Sequence, residues 1–280
     1  MSASVTLPQI AYEAPGFDAS FMASLHEYGF AAVINHPLDG ARISRIYGEW
    51  RAFFASGDGP VFEMDPVRQD GYFSLRHAEH AKGFEERDHK EYFQFYPWGR
   101  CPDSLRADLA AHFDDAVALG SQLLACIARS LPQAVTSRFS EPLRDMIQGS
   151  EQTMLRVLHY PPVPTAPLVM RAAPHEDINL LTLLPAADGP GLELQLSSGE
   201  WIAVPHTPGQ IIVNIGDMLQ EATQGYLPST THRVADTAAA SSVSRMSLPL
   251  FLHPRPDVVL SPRYTARQYL MQRLDELGVI

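Results

Sequence analysis

The chain has 280 residues, of which 45% are hydrophobic and 19% charged, and its formal net charge at pH 7 is −11. This composition predicts an ordinary globular protein with a sizeable core, and all-β domains commonly use this much sequence as one unit. The acidic balance argues against a nucleic acid as the main partner, because binding phosphates requires a basic face.

The two cysteines, Cys101 and Cys126, form neither a C-x-x-C pair nor a zinc-finger spacing. Without a disulfide framework to infer, a reducing cytoplasmic setting is the expectation. The first residues lack the basic start and apolar run of a signal peptide, and no apolar stretch approaches the roughly 20 residues that a membrane helix needs. We therefore expect a cytoplasmic protein with no membrane partner.

The first half of the chain is predicted to be mainly helical. Apolar residues recur at helical spacing, Asp18 lies near the start of the first such segment, and Pro132 ends the longest one. Helices are predicted at residues 17–28, 41–54 and 104–131, and a short buried strand at residues 29–36. Residues 58–100 are rich in Gly, Pro and aromatic residues and receive no assignment.

Beyond about residue 150 the pattern changes to short β-rich runs separated by Pro and Gly, as in Pro161-Pro162 and Pro208-Gly209. Several short strands without helices between them favour a sandwich or a double-sheet barrel over a Rossmann-type sheet. Strands are predicted at residues 154–160, 168–172, 179–184, 192–196, 201–204, 210–215, 230–234 and 244–252. A final helix is predicted at residues 265–277.

His175-Glu176-Asp177 lies at the border of two predicted strands. Residues two apart on a strand point to the same side, so His175 and Asp177 would project together. His232 lies in another predicted strand, and two imidazoles with one carboxylate are the ligands of non-haem iron(II) oxygenases, which leave coordination positions open. His175, Asp177 and His232 are therefore candidate iron ligands and catalytic residues.

The H-x-D spacing is not specific by itself, because it recurs at His112-Phe113-Asp114. The helical periodicity around His112 places residues two apart on divergent faces, which predicts a structural role for this second match. Two H-x-E matches, which begin at His77 and His89, have no partner histidine at a convincing distance.

Arg245 and Ser247 open an apolar run near the end of the β-rich half. Two apart on a predicted strand, they share a face, and a guanidinium fork beside a hydroxyl is suited to binding a carboxylate inside a barrel. A charged residue in such an apolar run is rarely buried without an ionic partner. The alternative is a surface arginine at a strand edge.

Taken in order along the chain, these motifs resemble those of the isopenicillin N synthase-like family of iron(II)- and 2-oxoglutarate-dependent oxygenases. The similarity covers nearly the whole chain and includes Arg245-x-Ser247, which stands where the family binds a carboxylate. The other matching positions are residues 29–36, 155–162, 175–177, 179–184, 191–194, 201, 204–205, 208–209, 214–217 and 229–234.

The resemblance implies a mainly β fold with flanking helices, built on a double-stranded β-helix, or jelly roll. We expect a single oxygenase domain over residues 1–280. Within it, residues 1–150 would form a mainly helical N-terminal portion, residues 151–262 the jelly-roll catalytic core, and residues 263–280 a C-terminal helix.

The resemblance also implies roles for individual residues. His175, Asp177 and His232 would hold iron(II), while Arg245 and Ser247 would hold the distal carboxylate of 2-oxoglutarate. Tyr160 matches a position whose hydroxyl often helps at that carboxylate, although a core aromatic is the alternative. Asn214 is either a neighbour of the iron ligands or a strand-end hydrogen-bonding residue.

The implied activity is oxidation of a small organic molecule by dioxygen, through hydroxylation, desaturation or cyclisation, with 2-oxoglutarate decarboxylated to succinate. One alternative is an isopenicillin N synthase-like oxidase that uses dioxygen without 2-oxoglutarate and binds the substrate carboxylate at Arg245 and Ser247. Another is a catalytically idle binding protein on the same fold. A monomer or a weak homo-oligomer is expected.

Two features of residues 70–98 bear on the nature of the substrate. Aromatic residues there are the expected source of a pocket wall, with ordinary core positions as the alternative. Lys90 and Arg76 either bind an acidic substrate or are solvated. The aromatic residues are Tyr72, Phe73, Phe93, Phe95, Tyr96 and Trp98.

Overall fold

The computed structural model describes residues 6–77, 88–162, 170–235 and 243–276. Its helices are α1 (Phe17–Tyr28), α2 (Gly40–Ser56), α3 (Asp103–Ser130), α4 (Gln133–Thr136), α5 (Asp217–Ala222) and α6 (Ala266–Glu276). Its strands are β1 (Gln9–Ala11), β2 (Phe30–Ile34), β3 (Gly71–Phe73), β4 (Glu91–Phe95), β5 (Met154–Tyr160), β6 (Ala172–His175), β7 (Leu181–Pro185), β8 (Leu192–Gln195), β9 (Trp201–Ala203), β10 (Gln210–Ile215), β11 (His232–Val234), β12 (Arg245–Ser247), β13 (Leu250–Leu252), β14 (Val259–Ser261) and β15 (Tyr264–Thr265). Two short 3-10 turns lie at Gly59–Phe62 and Leu75–His77.

Helix α2 shows how local sequence sets the helical layer. The Asp39 side chain accepts hydrogen bonds from the Ala41 and Arg42 amides and so caps the first turn. Ile46, Trp50 and Phe53 follow at helical spacing and are all buried. One apolar face of the helix therefore packs on the core while the opposite face meets solvent.

Gly29 joins the helical layer to the strands. Its φ of 67° lies in the left-handed region, and its amide donates to the Leu25 carbonyl to end α1. A Cβ here would lie 2.3 Å from the Thr230 hydroxyl oxygen. Both the backbone conformation and the close approach require glycine at this position.

The main sheet runs in the order β1-β2-β10-β7-β13-β5-β4-β3, and β12 also pairs with β5. Its pairs are antiparallel except β1 with β2. β12 and β13 lie one after the other along β5: Arg245 is opposite Tyr160, and Leu250 is opposite Leu155. This register fixes which side chains of the C-terminal strands face the interior.

A second sheet, in the order β6-β11-β8-β9, packs on one face of the main sheet. Leu194 and Ile202 of this sheet share a buried cluster with Phe30 and Ile212 of the main sheet. The opposite face of the main sheet packs on α2 and α3 through a larger core. The result is two facing sheets with helices outside, which confirms the predicted jelly-roll class.

The predicted elements are largely confirmed. The first helix, β5 and β10 have the predicted bounds, and the segment 58–100, left unassigned, holds β3 and β4. The first half also contributes β1 and β2 to the main sheet, so its strands and the later ones share one sheet. The predicted strand 168–172 lies partly outside the described residues, and of its described part only Ala172 is in a strand, because β6 begins there and continues to His175. The domain boundaries stay predictions.

Within the described ranges, no helix combines the length and the apolar character that crossing a membrane requires.

Candidate metal centre and carboxylate pocket

His175, Asp177 and His232 come together at the edge of the second sheet. His175 ends β6 and is paired across the sheet with His232 at the start of β11. Asp177 follows two residues later, and its Oδ1 lies 4.0 Å from His175 Nε2 and 3.8 Å from His232 Nε2. One ligand atom from each of the three residues lies within 4.8 Å of the others. This is the spacing of atoms that share one metal ion.

Backbone carbonyls orient the two imidazoles. Nδ1 of His175 lies 2.7 Å from the Ala173 carbonyl oxygen, and Nδ1 of His232 lies 3.1 Å from that of Thr230. A carbonyl oxygen only accepts, so each Nδ1 carries the proton and each Nε2 keeps its lone pair. Both lone pairs belong to the nitrogen atoms near Asp177, as metal ligation requires.

Asp177 is held through its other carboxylate oxygen. Oδ2 accepts hydrogen bonds from the Thr182 hydroxyl at 2.6 Å and from the Asn214 amide at 2.8 Å. Asn179 in turn donates to the Thr182 hydroxyl oxygen at 2.8 Å. These side chains fix the carboxylate so that Oδ1 faces the imidazoles. The sequence indicated Asn214 as a possible neighbour of the iron ligands, but it did not single out Thr182 or Asn179.

The environment favours the protonation states that bind a metal. Burial lowers the pKa of His175, and the neighbouring His232 lowers it further. Burial raises the pKa of Asp177, but the two histidines and the hydrogen bonds from Thr182 and Asn214 outweigh it and hold that pKa below its usual value. A neutral imidazole and an ionised carboxylate are the ligand forms.

Arg245 and Ser247 lie on β12, and both are 3% exposed. Nε of Arg245 donates to the Gly189 carbonyl oxygen at 3.1 Å. Its Cζ lies 5.2 Å from the ring centroid of Tyr160, the residue opposite on β5. The predicted alternative of a surface arginine is therefore wrong. For Tyr160 the structure shows a ring against the guanidinium, and the role of its hydroxyl stays a prediction.

The Arg245 guanidinium has an unsatisfied donor. Among the described residues, nothing accepts a hydrogen bond from its buried Nη1. A buried, charged donor without an acceptor is costly, and a carboxylate ligand would satisfy it. The side chain thus fits the distal carboxylate of a 2-oxo diacid.

The second H-x-D match is confirmed as structural. His112 lies inside α3 and is 1% exposed, whereas Asp114 is exposed to solvent. Burial lowers the pKa of His112 to about 4. His77 and His89 do not join a metal-binding group either: within the described ranges, the single such group is the one around Asp177.

The aromatic residues that lie on β3 and β4 divide between the two faces of the main sheet, whereas Tyr96 and Trp98 follow β4 and Trp98 is 40% exposed. Phe93 and Phe95 lie in the helix-facing core. Phe73 lies on the inner face, where it stacks on Tyr92 with ring centroids 4.6 Å apart. Tyr92, which the sequence did not single out, therefore belongs to the interior between the sheets.

Lys90 is not a solvated cation. It is 5% exposed, and its Nζ lies 2.8 Å from Asp88 Oδ2. Asp88 Oδ1 also accepts from the Ala173 amide at 2.9 Å, two residues before His175. This buried ion pair therefore links the segment just before β4 to β6, the strand that carries a candidate metal ligand. Arg76, in contrast, is exposed.

Comparison with known proteins agrees with this geometry. Residues 151–254 match the model of the 2OG-Fe(II) oxygenase superfamily. Flavanone 3-dioxygenase 2 of Oryza sativa subsp. japonica is 30% identical over 84% of the chain and 69% of its own length. The structure also resembles the crystal structure of a Shewanella oneidensis protein described as an oxygenase, with a TM-score of 0.90. The two chains are 48% identical, and the match covers 99% of this chain and 100% of that one.

The chain belongs to the 2OG-Fe(II) oxygenase superfamily. A further relative, feruloyl CoA ortho-hydroxylase 2 of Arabidopsis thaliana, is 28% identical over 84% of the chain. The chain spans 65% of that protein's length.

Proposed function

We propose that the protein is an iron(II)- and 2-oxoglutarate-dependent dioxygenase that oxidises a small organic molecule. The observation that carries this proposal is the pairing of two features inside one jelly roll. One is the group of His175, Asp177 and His232, and the other is the buried guanidinium of Arg245 with an unsatisfied Nη1. The first suits a metal that keeps positions open, and the second suits a carboxylate.

In this proposal the two histidines and Asp177 would hold iron(II) through Nε2, Nε2 and Oδ1. Thr182 and Asn214 keep the carboxylate in place, and the Ala173 and Thr230 carbonyls keep the imidazoles in the required tautomer. When bound, iron(II) supplies the activation of dioxygen, coupled to decarboxylation of 2-oxoglutarate to succinate.

Arg245 and Ser247 would fix the far end of 2-oxoglutarate. A guanidinium recognises a carboxylate through parallel N–H donors, and a neighbouring hydroxyl adds a further hydrogen bond. Because both side chains are buried, the carboxylate would be held away from water, where charge-assisted hydrogen bonds are strongest. The chain's part in catalysis is thus to position two ligands and shield them from solvent.

An oxidase that uses dioxygen without 2-oxoglutarate would need the same metal ligands, with Arg245 on the substrate instead. The family description and the relatives named as a dioxygenase and a hydroxylase favour the 2-oxoglutarate enzyme over this alternative and over an idle binding protein.

The experiment that tests the proposal is substrate-free turnover. Freshly reconstituted iron(II) protein should consume dioxygen and release succinate slowly when 2-oxoglutarate is added. The Asp177→Ala variant should do neither. Dioxygen consumption that ignores 2-oxoglutarate would instead identify an oxidase, and no consumption under any condition would identify a binding protein.

A further inference from the structure

The loop between β7 and β8 contacts β12 on the edge that β5 leaves open. The Oδ1 atom of Asp188 accepts a hydrogen bond from the Met246 amide at 2.6 Å. The next residue, Gly189, offers its carbonyl oxygen to Nε of Arg245 at 3.1 Å. The loop therefore holds both the backbone of β12 and the side chain of Arg245.

The same loop is tied to helix α2. The second carboxylate oxygen of Asp188 forms an ion pair with Arg51. The hydroxyl of Tyr47, one turn earlier on α2, donates to the Ala186 carbonyl oxygen at 3.2 Å. Asp188 thus bridges two elements: Oδ1 is bonded to β12 and Oδ2 to α2.

This arrangement fixes the direction of the Arg245 guanidinium. The guanidinium is planar, so a hydrogen bond at Nε sets the plane in which its two terminal nitrogens lie. Cζ of the guanidinium also lies over the Tyr160 ring, 5.2 Å from the ring centroid. With the ring and the Gly189 carbonyl both in place, the buried Nη1 keeps one orientation, and that orientation depends on where the loop holds β12.

The loop also carries the Asp188 carboxylate, which does not neutralise the charge of Arg245. Arg51 takes one oxygen of Asp188 and the Met246 amide takes the other. The carboxylate is therefore occupied on both sides, and the Arg245 charge remains for a ligand.

We propose that Asp188 is a positioning residue for Arg245, and that Arg51 completes the arrangement from the surface. Asp188 would touch neither iron nor 2-oxoglutarate; it would set the place from which Arg245 reaches the distal carboxylate. This inference rests on the proposed function of Arg245.

The test compares two co-substrates that differ only at the far end. Both 2-oxoglutarate and 2-oxobutyrate can chelate iron(II) through a 2-oxo acid, but 2-oxobutyrate has no distal carboxylate. Dissociation constants are measured anaerobically on the iron(II) protein, from the visible absorption that chelation produces. A role in positioning Arg245 changes the ratio of the two constants, whereas general damage to the fold changes both constants together.

For Asp188→Ala we expect 2-oxoglutarate to bind about tenfold more weakly, since small misplacements of a binding group cost one to two orders of magnitude. The binding of 2-oxobutyrate and of iron should stay within about twofold. Asp188→Asn keeps an acceptor for the Met246 amide and loses the ion pair, as does Arg51→Met, and each should weaken 2-oxoglutarate binding about threefold. These two variants carry the test if the alanine variant does not fold.

Asp108→Asn is the matched control, because Asp108 of α3 forms an ion pair with Arg45, which lies on α2 as Arg51 does. It should leave both constants unchanged. An unchanged ratio of the two dissociation constants in the Asp188 and Arg51 variants would overturn the positioning role but leave the proposed function in place. If the wild-type protein itself bound both co-substrates equally well, the role of Arg245 at the distal carboxylate would fail. Failure of the proposed function would look different, because neither co-substrate would then chelate the iron(II) protein.

Discussion

The two H-x-D motifs of this chain have the same spacing, but the side chains of one converge and those of the other diverge. His175 ends a strand and Asp177 follows two residues later, and the two side chains converge, with Asp177 Oδ1 and His175 Nε2 4.0 Å apart. His112 and Asp114 lie in the middle of a helix, where a separation of two residues turns the side chains to divergent directions. His112 is buried and Asp114 is exposed. Spacing becomes a site only when the backbone makes the residues converge.

The largest effect should follow from breaking the converging motif. Changing His175 or Asp177 to Ala removes one of three ligands, and we expect iron binding and iron-dependent dioxygen consumption to be lost, with activity down by at least about a thousandfold. The matched control is His112→Ala, which should keep dioxygen consumption per folded molecule. Full activity of either ligand variant would refute the metal assignment.

The next largest effect concerns the carboxylate pocket. Arg245→Ala removes a buried charge-assisted contact, so the Michaelis constant for 2-oxoglutarate should rise about 10- to 100-fold. Iron affinity should change little, because Arg245 is not among the candidate metal ligands. Steady-state kinetics together with an iron titration check both points. Unaltered dependence on 2-oxoglutarate would assign Arg245 to the substrate or to neither ligand.

A smaller effect is expected from the residues that hold Asp177. Thr182→Val removes the hydroxyl that donates to Oδ2, and iron affinity should fall about tenfold, the lower end for residues that orient metal ligands. Thr182→Ser keeps the hydroxyl and serves as the control. Equal iron affinity in the Val and Ser variants would show that Asn214 alone orients the carboxylate.

The last prediction concerns stability rather than activity, and it involves the buried histidine of the diverging motif. The fold lowers the pKa of His112 to about 4, so between the unfolded value near 6.5 and about 4 the unfolded chain binds the extra proton. The free energy of unfolding should therefore fall as the pH drops through this window. His112 would contribute on the order of 1–3 kcal/mol of that fall.

Urea unfolding of the metal-free protein at pH 7 and pH 4.5 measures this loss. His112→Leu should show a smaller difference between the two pH values than the wild type does. Burial also lowers the pKa of His253 to about 4, so part of the dependence should remain in the variant. The same pH dependence in both proteins would contradict the buried neutral state of His112.

Local patterns predicted much of this protein. Apolar spacing located α1, and alternation with turn residues located β5 and β10 with their observed bounds. The alternation of side chains along strands placed the candidate ligands on one side. The family resemblance then predicted that these ligands share a site with Arg245 and Ser247.

The contacts that support the site could not be predicted in the same way. Thr182 and Asn214 meet at Asp177 because β7 and β10 pair in one particular register, which sequence separation does not reveal. The ion pair between Arg51 and Asp188 joins residues 137 positions apart. Such long-range pairs depend on topology, and no local spacing indicates them.

The jelly roll would hold iron(II) and 2-oxoglutarate together in one interior. Anaerobic addition of 2-oxoglutarate to the iron(II) protein would show whether it does. We predict a visible charge-transfer band that saturates with 2-oxoglutarate and needs much higher concentrations in the Arg245→Ala variant. Iron-loaded wild-type protein that gives no band at any 2-oxoglutarate concentration would contradict the claim.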